Sequence, residues 1–213
     1  MKSSKTIIFG ALDVNALRFE INSDDTVIAC DKGVLNCEKL GVRPDKIIGD
    51  FDSLGFVPDG ENVTVLPVRK DETDVGFALR TAFLNGSREI YVYGAVGEKL
   101  DHSLANISLC ASYVKKGARV VFFGKNMDFT CISPEIPLEF SKALSGGRLS
   151  VFALTKCEGV NIINAEYPLE NASIDPLFPL GVSNAFIKGE KTRISLKSGL
   201  ALAVWDNKSS SIL

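Results

Sequence analysis

The sequence has one histidine, and its five cysteines (Cys30, Cys37, Cys110, Cys131, Cys157) form no Cys-x-x-Cys pair. That leaves a structural zinc without a ligand set of the usual spacing. An odd number of scattered cysteines in a chain of 213 residues fits free thiols in a reducing compartment, so a cytoplasmic location is expected. Excess basic charge is missing too. With 24 Lys and Arg against 26 Asp and Glu, the formal net charge is −2, and no basic stripe is present to meet phosphates; nucleic acid is not an expected partner. No apolar run approaches the roughly 20 residues a membrane helix needs. The N-terminal run "TIIFGA" meets Asp13 before a signal-peptide core develops. Neither a membrane span nor a secretion signal is expected. The common phosphate-binding loops are absent: there is no G-x-x-x-x-G-K-[ST], and no G-x-G-x-x-G after a strand. His102 has no nearby serine or cysteine nucleophile in a recognisable pattern, so a hydrolase triad is excluded and the ring reads first as a solvated helix residue.

What is present is a globular composition, 46% hydrophobic and 23% charged, enough to bury a real core. Through about residue 125, short apolar runs ("TIIFGA", "TVIACD", "DKIIGD", "NVTVLPV", "EIYVYGA", "ARVVFFG") alternate with helical periodicity. Continuous apolar runs suit strands buried on both faces of a parallel sheet. Val75, Ala78, Leu79, Ala82 and Phe83 predict one helix, stopped at Gly86; Leu104, Ile107, Ala111 and Val114 predict the covered face of a second, ended by Gly117. Beyond about residue 126, runs such as "FTCISP", "RLSVFALT", "VNIINAEY", "TRISLKS" and "LALAVWD" are separated by turn residues. The expected fold class is therefore an α/β N-terminal domain (1–128), mostly parallel and Rossmann-like in three layers, followed by an all-β sandwich domain (129–213).

In an open α/β sheet, ligands bind beyond the carboxyl ends of the strands. There the sequence is repeatedly acidic: Asp31, Asp50, Asp52, Asp71, Asp74 and Asp101 follow the predicted strands. Turn formation and helix capping account for any one of them, Asp101 included, but do not require six on one edge. In "GDFDS", an extended chain would point Asp50 and Asp52 to the same side and turn Phe51 toward packing. Paired hard oxygen donors suit Mg²⁺, which commonly completes its octahedron from water and substrate phosphates. A magnesium-phosphate site is the expectation.

Taken in order, "ACDKGVLNCEKLGVRPDKIIGDFDS", "KDETDVGFAL", "GAVGEKLDHSLANI", "YPLEN" and "GVSNAF" resemble the thiamine pyrophosphokinase (thiamine diphosphokinase) family over nearly the whole chain. The resemblance implies Mg²⁺-dependent transfer of pyrophosphate from ATP to the hydroxyl of thiamine, giving thiamine diphosphate and AMP. It also implies a homodimer with active sites between the α/β domain of one subunit and the β domain of the other. By residue-to-residue match it implies catalytic Asp50, Asp52, Asp71, Asp74 and Asp101, with Asp50, Asp52 and Asp74 on the metal. Asp31, Gly33, Asn36, Lys70, Thr73, Lys99 and His102 are implied near the nucleotide or its phosphates. Ser183 and Asn184 are implied at the aminopyrimidine of thiamine, with Tyr167 and Trp205 as aromatic walls, for which core packing is the alternative. Three positions depart from the family pattern: Lys32 for a common second glycine, Lys99 for a common arginine, and Ala185 for a common acidic residue. Lysine at 99 keeps the charge without the bidentate fork. The competing readings are a pyrophosphokinase for another alcohol, such as hydroxymethyl-dihydropterin, and a non-catalytic thiamine or nucleotide binding module.

Overall fold

Ile7, Ile8 and Phe9 have no exposed surface at all, as a strand covered on both faces requires. They belong to β1 (Thr6–Phe9), which is followed by β2 (Thr26–Cys30), α1 (Gly33–Lys39), β3 (Lys46–Gly49), β4 (Val63–Val65), α2 (Asp74–Leu84), β5 (Glu89–Tyr93), α3 (Leu100–Lys115) and β6 (Arg119–Phe123). This computed structural model describes residues 4–69, 71–97, 99–209 and 211–212. The chain divides into two compact units, Met1–Asn106 with Phe122–Lys125 and Ile107–Val121 with Asn126–Leu213, so α3 and β6 contribute residues to both. No helix among the described residues is long and apolar enough to cross a membrane.

In the first unit β1 pairs in parallel with β2 and β5, β2 with β3, and β3 with β4. Phe9 lies opposite both Ala29 and Tyr93, and Cys30 opposite Ile48. The strands therefore end nearly level, and the residues that follow them leave the sheet at one edge. Helix α2 buries Ala78, Leu79 and Ala82, begins under the Thr73 cap and ends before Gly86 at φ 90°. Helix α3 is rotated from the face the periodicity predicts. Asn106, Cys110, Tyr113 and Val114 are buried, whereas Leu104 is 54% exposed. Polar anchors fix that rotation: Asn106 Nδ2 donates to Ala95 O at 2.7 Å, and Cys110 Sγ to Val120 O at 3.3 Å. Helix α1 carries no clear apolar period, and the sequence did not predict it. The glycine at its start permits it, since a Cβ on Gly33 would lie 2.0 Å from Phe9 O.

The second unit contains β7 (Met127–Ile132), β8 (Leu138–Lys142), β9 (Arg148–Ala153), β10 (Cys157–Ile163), β11 (Leu169–Ile174), β12 (Asn184–Ala185), β13 (Lys191–Ser195) and β14 (Ala201–Asp206). The strand pairings among its described residues are antiparallel: β7-β14-β9-β12 in one set and β11-β10-β13-β8 in the other. The two sets share an aromatic core. Phe140 of β8 meets Trp205 of β14 edge-on at 5.2 Å and Phe186 at 4.9 Å, each ring contributing on the order of 1 kcal/mol beyond its buried area. All five cysteines are buried and free.

Candidate active site

Asp31 and Asp50 stand one residue past β2 and β3, and Asp74 opens α2. Each is half-buried, and one carboxylate oxygen from each lies within 4.8 Å of the other two. The local chain is built around this approach. Asp31 has φ 52° and Phe51 φ 59°, both in the left-handed region. Asp31 Oδ1 accepts from Phe51 N at 3.0 Å, and Ser53 Oγ donates to Asp31 Oδ2 at 3.4 Å. A Cβ on Gly49 would come within 2.7 Å of Asp31 Oδ1, so only glycine lets β3 end beside that carboxylate. Thr73 accepts from Gly76 N at 3.0 Å, which caps α2 and aims its first turn, a favourable end for negative charge.

Burial pushes the Asp31 carboxyl above its ordinary range against the Phe51 hydrogen bond, and the neighbouring Asp74, Asp50 and Asp52 push it further. A divalent cation at the trio would relieve this repulsion and accept three hard donors. Beneath the trio, Cys30 Sγ donates to Asp74 O at 3.6 Å, and burial raises its thiol far above the usual range. It stays a neutral thiol.

The membership of the trio differs from the sequence expectation. On an extended chain Asp50 and Asp52 would share a face, but the left-handed turn at Phe51 breaks that alternation. Phe51 itself is buried as expected, at 2% exposure. Asp52 is exposed and outside the trio, its N donating to Asp50 Oδ1 at 3.4 Å. Asp31, expected near the nucleotide, completes the cluster instead. The signal was available, because Asp31 ends an apolar run as Asp50 does.

The remaining residues expected in this unit fall into two groups. Asn36 is buried and committed to backbone: Nδ2 donates to Gly10 O at 2.9 Å and Leu12 O at 2.8 Å, while Oδ1 accepts from Val14 N at 3.0 Å. It fastens the loop after β1, with both N–H groups of its carboxamide engaged. Gly33 likewise serves the close packing of α1. Asp71, Thr73, Lys99, Asp101 and His102 are exposed, and Asp101 Oδ1 accepts from His102 N at 2.8 Å. Lys70 lies outside the described residues.

In the second unit a concavity of about 420 Å³ is lined by Ile162, Tyr167, Leu169, Leu180, Ser183 and Asn184 among others. Tyr167 is 70% exposed and lines this concavity, outside the core. Ser183 sits at φ 61°, and its N donates to Ser150 Oγ at 3.1 Å. Trp205, the other expected wall, is 1% exposed and packed on Phe140, because β14 is flanked by β7 and β9. It belongs to the core, with Nε1 unpartnered among the described residues. Leu169 and Leu180 were not singled out from sequence, since nothing local distinguishes a pocket leucine from a core one.

Comparison with known proteins covers both units. The family profile described as "Thiamin pyrophosphokinase, catalytic domain" matches residues 17–122, and "Thiamin pyrophosphokinase, vitamin B1 binding domain" matches residues 135–201. A protein named thiamine pyrophosphokinase from Bacillus subtilis (strain 168) is 25% identical over 184 residues, covering 83% of this chain and 85% of its own. The fold matches a crystal structure of thiamine pyrophosphokinase from Bacillus subtilis with TM-score 0.81 and 21% identity, over 95% of this chain and 99% of that one. It matches that from Geobacillus thermodenitrificans with TM-score 0.79 and 24% identity, over 95% and 97%. With profile matches spanning the carboxylate edge of the first unit and the concavity of the second, the chain belongs to the thiamine pyrophosphokinase family.

Proposed function

We propose that the chain transfers the pyrophosphoryl group of ATP to the hydroxyl of thiamine, releasing AMP and thiamine diphosphate, at a Mg²⁺ site formed by Asp31, Asp50 and Asp74. The observation that carries this reading is the convergence of three half-buried carboxylate oxygens within 4.8 Å, in a chain whose family performs this chemistry. The donor set fits the ion: all three are hard oxygens, and Asp31 is held above its ordinary pKa by burial and by its neighbours' charge. Mg²⁺, when bound, neutralises polyphosphate charge as the bond to the leaving group breaks.

The chain's own residues supply position. Asp31, Asp50 and Asp74 would hold the ion at the strand edge. Lys99, exposed just before α3, meets phosphate charge; Asp101 and His102 follow it in the first turn of α3, and Asp71 and Thr73 precede α2 in the same unit. Asp52, outside the trio, acts at its rim. Tyr167 and Ser183 line the concavity that receives the flat cationic substrate; stacking or cation–π contact with Tyr167 contributes about 1 kcal/mol. The thiamine hydroxyl then attacks the β-phosphorus, the α,β-bridging bond breaks, and the hydroxyl proton passes to a carboxylate of the same edge. The reading extends to a cytoplasmic homodimer, whose active sites join the α/β part of one subunit to the β part of the other. It also includes a Rossmann-like three-layer first domain and a sandwich second domain.

Incubation of the pure protein with ATP, Mg²⁺ and thiamine tests the reaction. AMP and thiamine diphosphate are expected in equal amounts. ADP would show a monophosphate kinase, and no turnover would favour the binding module.

A further inference from the structure

Asn184 is 3% exposed, yet it lies beside the concavity of the second unit. A carboxamide offers two acceptor sites on oxygen and two N–H donors. Here Oδ1 accepts from Tyr167 N at 2.9 Å and from Ala185 N at 2.8 Å, while Nδ2 donates to Tyr167 O at 2.7 Å. Its acceptor capacity is filled, and one N–H remains.

These bonds extend a backbone ladder. Ala165 bridges Phe186 in antiparallel fashion, and Glu166 N donates to Ala185 O at 3.0 Å. At the next step the chain turns away through Ser183, at φ 61°, and the Asn184 side chain takes over the partner's role, pairing with both N and O of Tyr167. It thereby holds in place the residue whose ring stands 70% exposed on the pocket wall.

We infer that Asn184 is a positioning residue that acts on substrate through Tyr167 and does not accept from the exocyclic amine of the substrate's aminopyrimidine. The exocyclic amine of that ring is a donor and needs an acceptor, which Asn184 no longer has. This inference rests on the reading of the concavity as the thiamine site.

A double-mutant cycle on the thiamine KM, at saturating ATP and Mg²⁺, separates the two roles. Tyr167→Ala, a change at an exposed ring, is expected to raise it roughly five- to tenfold. Asn184→Ala should raise it by a comparable factor, leaving the KM for ATP unchanged. The double variant should be no worse than the worse single one. Factors that multiply in the double variant would overturn the inference, as would an unchanged thiamine KM in Asn184→Ala. Should Asn184→Ala fail to fold, Asn184→Asp keeps the acceptor, loses the donor to Tyr167 O, and is judged by the same criterion. Hydrogen exchange at the Tyr167 amide reads the clamp without substrate: it should be slow in the unmodified protein and faster in either Asn184 variant, and equal rates would refute it. A protein that forms no thiamine diphosphate but shows this exchange difference would defeat the proposed reaction and leave the clamp standing.

Discussion

The two units build their sites in different ways. In the first, parallel strands end nearly level, so the residue after each one is delivered to a common edge; Asp31 and Asp50 meet because Cys30 and Ile48 are in register. In the second, antiparallel strands share no such edge, and the concavity depends on the segment from Leu180 to Asn184 folding back beside Tyr167. One candidate site is dominated by clustered carboxylates, the other by apolar walls and satisfied hydrogen bonds. Yet both units fasten a site loop with a single buried asparagine: Asn36 holds residues 10, 12 and 14, and Asn184 holds residue 167. Each carboxamide supplies backbone partners where the chain has left its ladder.

If the asparagines are equivalent fasteners serving different sites, removing each should damage only its own unit. Asn36→Ala has the larger expected effect on stability. It strands Gly10 O, Leu12 O and Val14 N in a largely buried setting and should cost about 2–3 kcal/mol at roughly 1 kcal/mol per lost bond, read by denaturant melts. The thiamine KM of the surviving fold should not move. A cost below about 0.5 kcal/mol would mean that water replaces the clamp and that the parallel with Asn184 is superficial.

A smaller effect of opposite sign is expected at the charged site. The folded-state pKa of Asp31 is raised, so between the unfolded value and that raised value the native state binds more protons than the unfolded state. Stability without metal therefore falls as pH rises from the ordinary aspartate range through the raised pKa. Asp31→Asn removes this penalty while keeping an acceptor for Phe51 N. Its melting temperature without metal should exceed that of the unmodified protein at neutral pH, and the gap should close in acid. No gap at neutral pH would mean that the trio is not electrostatically strained.

The contrast between the units also explains what the sequence made legible. Buried parallel strands are continuous apolar runs, so "TIIF" and "TVIAC" announce themselves, and the acidic residues after them mark the edge. The strands β8, β11 and β12 are not so marked. "LEFSK" and "LENASI" carry at least as many polar as apolar positions, and β12 spans only Asn184–Ala185. Helix α1 is seven residues with a glycine at its start, too short and too poor in helix formers to stand out. The left-handed turn at Phe51 was not readable either, since an aromatic residue rarely adopts that conformation and the Asp31 carboxylate, a residue distant in sequence, helps to secure it. Motif resemblance singled out Ser183 and Asn184, but the bonds that commit Asn184 to Tyr167 depend on tertiary contacts that no local pattern encodes.

In the proposed metal site Asp31, and not Asp52, completes the trio with Asp50 and Asp74. Titration of Mn²⁺, as a paramagnetic substitute for Mg²⁺, into the unmodified protein with ATP and into each single Asp-to-Asn variant tests it directly. Asp31→Asn, Asp50→Asn and Asp74→Asn should each weaken ion binding by on the order of tenfold or more, as expected when one charged ligand is lost, while Asp52→Asn stays within about twofold. Loss of affinity in Asp52→Asn with near-normal binding in Asp31→Asn would contradict the account.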